Sequence, residues 1–168
     1  MENSKDSLEF VKHPFEPVYD SQSRILILGT MPSPESRKDE FYYGHSGNRF
    51  WRVLAGIFKT PLPKTKEEKT ELLLSNNLAL WDVLKSCYID GAKDSSISNP
   101  VVNEFSTILK KAKIERVLCN GKKAFELYNA HCKSQTGIEA VSLLSTSPAN
   151  RRANIEVLTK AYRDAILG

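Results

Sequence analysis

The sequence has three cysteines, Cys87, Cys119 and Cys132, and no two of them form a C-x-x-C pair. An odd, widely spaced set argues against a disulfide framework and offers no zinc or iron–sulfur pattern, so no metal is expected. Reduced, buried thiols are the expectation, because free cysteine packs as a small hydrophobe. Long apolar runs are missing too: none approaches the roughly 18–20 residues that span a bilayer. Met1–Phe15 mixes charges of both signs and lacks an apolar central stretch, so no secretory signal is read there. An intracellular, cytoplasmic protein without a membrane partner is the expectation. Neither G-x-x-x-x-G-K-[ST] nor G-x-G-x-x-G occurs, which weakens nucleotide-triphosphate and dinucleotide binding. Internal repeats and low-complexity tracts are also lacking.

The chain length of 168 residues suits one domain around one core. Hydrophobic residues make up 40% and charged residues 26%, the balance of an ordinary globular protein. A formal net charge of +4 permits an anionic partner but does not establish one, because a nucleic-acid-binding face needs its charge clustered.

Arg24–Gly29 (R-I-L-I-L-G) is a continuous apolar run ended by glycine, the pattern of a strand covered on both faces. Phe50, Val53, Leu54, Ile57 and Phe58 recur at helical spacing and predict an amphipathic helix that Pro61 and Pro63 end. Thr65 and Glu68 form a T-x-x-E capping box that opens a second helix through Leu72–Leu74. Leu78–Val83, Arg116–Cys119 and Ala140–Leu144 read as strands. Helices are expected over Phe105–Ala112, over Lys122–His131 and from Ile155 to Ile166. Residues 1–20 are expected as a peripheral N-terminal segment, and Lys85–Pro100 as a long irregular loop. Strands separated by helical crossovers imply an α/β fold, a three-layer α/β/α sandwich on a central four-stranded parallel sheet. Ligands of such folds bind beyond the carboxyl ends of the strands. The loops to inspect are those after Gly29, Val83 and Leu144.

Two of these loops are unusual. G-T-M-P-S-P-E-S ends the first strand with glycine and stiffens the turn with two prolines, leaving its remaining amides to point elsewhere. Ser145–Arg152 offers hydroxyls, one proline, and then Asn150, Arg151 and Arg152 at a helix start, a combination suited to phosphate. Between them lies F-Y-Y-G-H-S-G-N-R-F-W, residues Phe41–Trp51. Read from the residues alone, each loop is also compatible with an ordinary capped turn, with Asn48 as the N-cap of the first long helix. His45 is open between an acid–base role and a simple hydrogen-bonding one. The histidines at positions 13, 45 and 131 assemble no serine–histidine–acid triad.

G-T-M-P-S, Y-G-H-S-G-N-R-F-W-R-V-L and S-T-S-P-A-N-R, in this order, resemble the uracil-DNA glycosylase superfamily, nearest its hypoxanthine-DNA (deoxyinosine) branch. The resemblance runs from about Arg24 to the C-terminus and takes in L-W-D-V-L, D-S-S-I-S-N-P and N-G-K-K-A. It implies a DNA glycosylase of base excision repair that flips a deaminated base from the stack and hydrolyses its N-glycosidic bond. Met31 stands where mismatch-type uracil enzymes carry a water-positioning asparagine, and Ser145 where others carry a supporting histidine. Efficient uracil excision is therefore not expected. Carried over from the hypoxanthine branch, Asn48 is the catalytic residue, its carbonyl oxygen accepting from a water held near the anomeric carbon. Gly29, Thr30, Met31, Pro32, Ser33, Tyr43 and His45 would form the base pocket, with Tyr43 stacking on the base. Ser145, Ser147, Pro148, Ala149, Asn150 and Arg151 would meet DNA. No lysine occupies a motif position for a Schiff base, so base removal without strand cleavage is expected, by a monomer and without a cofactor. A uracil or xanthine glycosylase, a non-catalytic damaged-DNA-binding module and a small-molecule hydrolase are the competing readings.

Overall fold

The computed structural model describes residues 7–168. In chain order its elements begin with β1 (Glu9–Lys12), β2 (Ile25–Gly29), α1 (Pro34–Asp39), α2 (Phe50–Phe58), α3 (Lys66–Leu74) and β3 (Leu78–Asp82). There follow β4 (Leu84–Ile89), a 3-10 turn at Asp94–Ser96, β5 (Ser98–Val102), α4 (Ser106–Lys111) and β6 (Arg116–Asn120). The chain closes with α5 (Lys122–His131), α6 (Lys133–Thr136), β7 (Ala140–Leu143) and α7 (Ile155–Leu167).

The central sheet has four parallel strands in the order β3-β2-β6-β7, as the crossover pattern predicts. β2 lies inside it and is buried along its whole length, which is why its sequence shows no polar alternation. Its side chains still alternate between faces. Ile25 and Ile27 join the core made with α2, α3 and α7, while Leu26 and Leu28 join the core made with α4 and α5. Helices therefore cover both faces of the sheet, giving the three layers.

The helices form where the sequence patterns place them. In α2, Phe50, Val53, Leu54 and Ile57 are buried along one stripe, together with Trp51 and Ala55. Thr65 caps α3 by accepting from the Glu68 amide, but the Glu68 carboxylate reaches the amide of Lys64 rather than that of Thr65. In α7, Leu158, Tyr162 and Ile166 are buried, and Asn154 accepts from the Val157 amide as N-cap. Among the described residues, no helix is long and apolar enough to cross a membrane.

The segment Lys85–Pro100 is not the irregular loop the sequence suggested. It holds most of β4, the 3-10 turn and the start of β5, within a second, antiparallel sheet of order β1-β4-β5. Register shifts at Leu84/Ser86 and Ser86/Tyr88 explain the miss. The residues β4 buries are Leu84, Cys87 and Ile89, a three-then-two spacing that hides the alternation of a regular strand. Pro100 is tolerated because β5 is an edge strand.

Of residues 1–20, expected at the periphery, 1–6 lie outside the described residues. The remainder is tied to the fold: Glu9–Lys12 pairs with β4, Val18 bridges to Leu80, and the His13 side chain is buried. Two further short helices, α1 and α6, were also not anticipated. The first starts at Pro34, where the fixed φ of proline suits a helix start, with Ser33 as its N-cap.

Candidate active site at the carboxyl edge of the sheet

Parallel register brings Gly29 opposite Asp82, and Asn120 opposite Leu143, at one edge of the sheet. Beyond that edge lies a cavity of about 760 Å³. The sequence-predicted site residues meet there: Gly29 to Ser33, Tyr43, His45 and Asn48 line it, as do Ser145 and Ser147–Asn150. Arg151 does not line it; it stands exposed on the adjoining turn. That turn is not a helix start, because α7 begins only at Ile155, after the cap residue Asn154.

The aromatic loop is held in an uncommon conformation. Tyr43 has a φ of 57°, a left-handed value that only tertiary contacts sustain in a tyrosine. Its ring packs on Phe50 with centroids 4.2 Å apart, and its hydroxyl is buried without a hydrogen-bond partner. Burial raises that hydroxyl well above an ordinary phenol; the Asp82 charge adds to the effect, and the Asn120 side chain works against it. The phenol is thus neutral at physiological pH. His45 accepts the Gly47 amide at Nδ1, 2.9 Å away, which leaves Nε2 as the protonated nitrogen of the neutral ring.

Four residues that the sequence reading did not single out prove central. Asp82, the last residue of β3, is buried and receives His13 Nε2 at 2.8 Å on Oδ2. The Phe15 amide lies 3.4 Å from His13 Nδ1, which makes Nε2 the donating nitrogen. Asn120 and Thr146 exchange two hydrogen bonds at 2.9 and 3.0 Å. Arg49 donates to the carbonyls of Thr146, Ser147, Asn150 and Ala153, so one guanidinium pins the whole loop after β7. The available signals were the strand-end positions of Asp82 and Asn120, and the place of Arg49 inside N-R-F-W.

Asn48 makes a capping-type bond and also lines the cavity. Its Oδ1 accepts from the Phe50 amide at 2.9 Å, a capping bond at the start of α2, although Arg49 is the residue in the N-cap position. The same oxygen accepts from the Thr146 hydroxyl at 2.9 Å. Two protein donors therefore meet the oxygen on which the sequence reading placed a water. The NH2 group is the part of the amide left for the cavity, since no described residue accepts from it.

The loop after β7 is largely knit to itself. Ser145 Oγ accepts the Ser147 amide, Ser147 Oγ accepts the Ala149 amide, and Asn150 Nδ2 donates to the Ser145 carbonyl. Met31 packs on the core that contains Leu28, and Ser33 spends its hydroxyl oxygen on the Ser36 amide. Among the described residues, no group of three His, Cys, Asp or Glu side chains is placed to hold a metal ion. A site of side-chain amides, a neutral phenol, the buried Asp82 carboxylate and the further carboxylates of Glu35 and Asp94 suits the stabilisation of a polar, flat ligand by oriented hydrogen bonds.

The family model "Uracil DNA glycosylase superfamily" matches residues 16–166, nearly the whole chain. The chain belongs to the uracil DNA glycosylase superfamily. Over 144 residues it is 40% identical to a Methanosarcina barkeri protein named hypoxanthine DNA glycosylase, covering 84% of this chain and 90% of that protein. A Methanosarcina acetivorans protein of the same name is 38% identical with the same coverage. The solution NMR structure of a candidate uracil DNA glycosylase from Methanosarcina acetivorans superposes with a TM-score of 0.78 at 34% identity, covering 95% of this chain and 100% of that one.

Proposed function

We propose that this protein is a monofunctional DNA glycosylase that releases hypoxanthine from deoxyinosine in DNA. The observation that carries the reading is the convergence of Asn48, Tyr43, His45 and the Thr30–Ser33 turn on one cavity, in a chain so similar to hypoxanthine DNA glycosylases. In the reaction the C1′–N9 bond breaks and its electron pair leaves with the purine. A water oxygen bonds to C1′, one proton passes to solvent, and the base takes one up. The turn amides and the Nε2–H of His45 offer donors to the carbonyl that distinguishes hypoxanthine from adenine. Met31 in place of a polar residue disfavours the water placement used by uracil enzymes.

Ser147, Pro148 and Ala149 line the cavity, the last two exposed, and would meet the backbone beside a flipped nucleotide. Exposed Arg151 and Arg152 add positive charge next to them. Phosphate contacts of this kind make duplex binding weaken as salt rises. Lys93 also lines the cavity, on the turn between β4 and β5, with its ammonium 3.4 Å from Asp90. It lies outside the motif positions.

The test is an excision assay on duplexes carrying a single inosine, uracil or xanthine. Hypoxanthine release is expected from inosine, leaving an abasic site cleaved only after alkali. Robust uracil release with none from inosine would overturn the base preference. Strand scission without alkali would overturn the monofunctional assignment, and lesion binding with no abasic product under single-turnover conditions would favour a binding module.

A further inference from the structure

Two backbone amides fix the polarity of a side-chain relay beside the cavity. The Phe50 N–H can only donate, so the Asn48 atom 2.9 Å from it is Oδ1. In the same way the Thr146 N–H, at 3.0 Å, identifies Oδ1 of Asn120. Asn120 must then turn Nδ2 toward the Thr146 hydroxyl, 2.9 Å away. That hydroxyl has one proton, and it donates to Asn48 Oδ1 at 2.9 Å. Thr146 is fully buried and Asn120 is 8% exposed, so little water competes for these bonds and a low dielectric strengthens them. The two oxygens and the hydroxyl of the relay are thus assigned, and the Asn48 NH2 group is left beside the cavity.

We infer that Asn48 acts as a hydrogen-bond donor, and that Thr146, itself set by Asn120, is the positioning residue that locks the amide in this sense. The inference rests on the reading of Asn48 as the catalytic residue of a glycosylase. A donor fixed in place before the reaction favours an atom that gathers negative charge. The departing base gathers such charge as the C1′–N9 electron pair leaves with it. A carbonyl oxygen turned into the cavity would do the opposite, and the relay holds it away.

The experiment measures single-turnover base release from an inosine duplex, duplex affinity and thermal midpoint for wild type, Asn48→Ala, Asn48→Asp, Thr146→Val and Thr146→Ser. Asn48→Asp keeps an oxygen for Phe50 and Thr146 but has no N–H at neutral pH, so release should slow roughly a hundredfold, as in Asn48→Ala. Thr146→Val keeps the shape and removes the hydroxyl, so release should slow roughly ten- to a hundredfold while duplex affinity changes by no more than about twofold. Thr146→Ser restores the hydroxyl and should recover most of the rate. Asn48→Asp at or above the wild-type rate would show an acceptor or base at this position and overturn the donor role. Thr146→Val at the wild-type rate, or a loss shared by rate, affinity and thermal midpoint alike, would overturn the positioning role. An active Asn48→Ala would instead overturn the catalytic assignment beneath it, and an inactive wild type would overturn the glycosylase reading itself.

Discussion

A methyl group at Gly29 would sit 2.5 Å from Asp82 Oδ1 and 2.9 Å from the Tyr43 hydroxyl. Both distances are too short for carbon, so the glycine is there for close approach rather than for an unusual φ. Its place at the end of β2 lets the carboxylate and the phenol share the floor of the cavity. Gly29→Ala should therefore cost about 1–3 kcal/mol of stability by overpacking, read from urea unfolding. Excision should fall as well, since Asp82 and Tyr43 cannot both keep their places; an alanine variant with native stability and rate would show that the floor is loose. That Gly29 ends a strand was legible in the sequence. What it makes room for was not, because Asp82 is 53 positions away and meets it only through β2–β3 register.

The element on which the site depends most is the loop after β7, and it has little regular structure of its own. Besides its own Ser145, Ser147 and Asn150 bonds, it is held by Arg49 at the head of α2, which donates to four of its carbonyls. Hydrogen bonds to a charged group are stronger than neutral ones, and no other side chain can serve these carbonyls together. Arg49→Gln should lower stability by about 2 kcal/mol or more and speed hydrogen exchange at Ser147 and Asn150. Duplex affinity should drop with it. Protection unchanged in the variant would mean that the loop holds itself. Helix α2 was legible through periodicity, since it buries the stripe its sequence displays, and α3 through the cap at Thr65. The antiparallel sheet was hidden because irregular pairing in β4 broke the period-two signal, and its third strand comes from the N-terminal segment.

At the scale of the molecule, burial gives the protein a pH dependence on the alkaline side. The Cys119 thiol is pushed up to about 12 and the Cys132 thiol to about 11, both first by burial. Buried Tyr42, Tyr43 and Tyr162 are raised too, again chiefly by burial. The unfolded chain loses these protons at ordinary thiol and phenol values while the folded chain retains them. Their contribution to stability is thus fully present below those values and is lost as pH rises beyond them. The urea midpoint should fall between about pH 8 and about pH 10.5, and a flat profile would mean that these groups are hydrated. The sequence by itself determined the parallel α/β sandwich, because burial on two faces and helical periodicity are local patterns that each segment carries alone. It also determined two of the loops that line the cavity, those after Gly29 and Leu144, because strand ends in such a fold share one edge. The residues directly after Val83 are strand β4, and the turn beyond it, at residues 92–95, reaches the cavity. Only the tertiary structure decided how those loops are wired: His13 to Asp82, Arg49 to the last loop, and Asn120 through Thr146 to Asn48. Each link joins residues tens of positions apart, and the direction of every hydrogen bond among them follows from which partners packing leaves within reach.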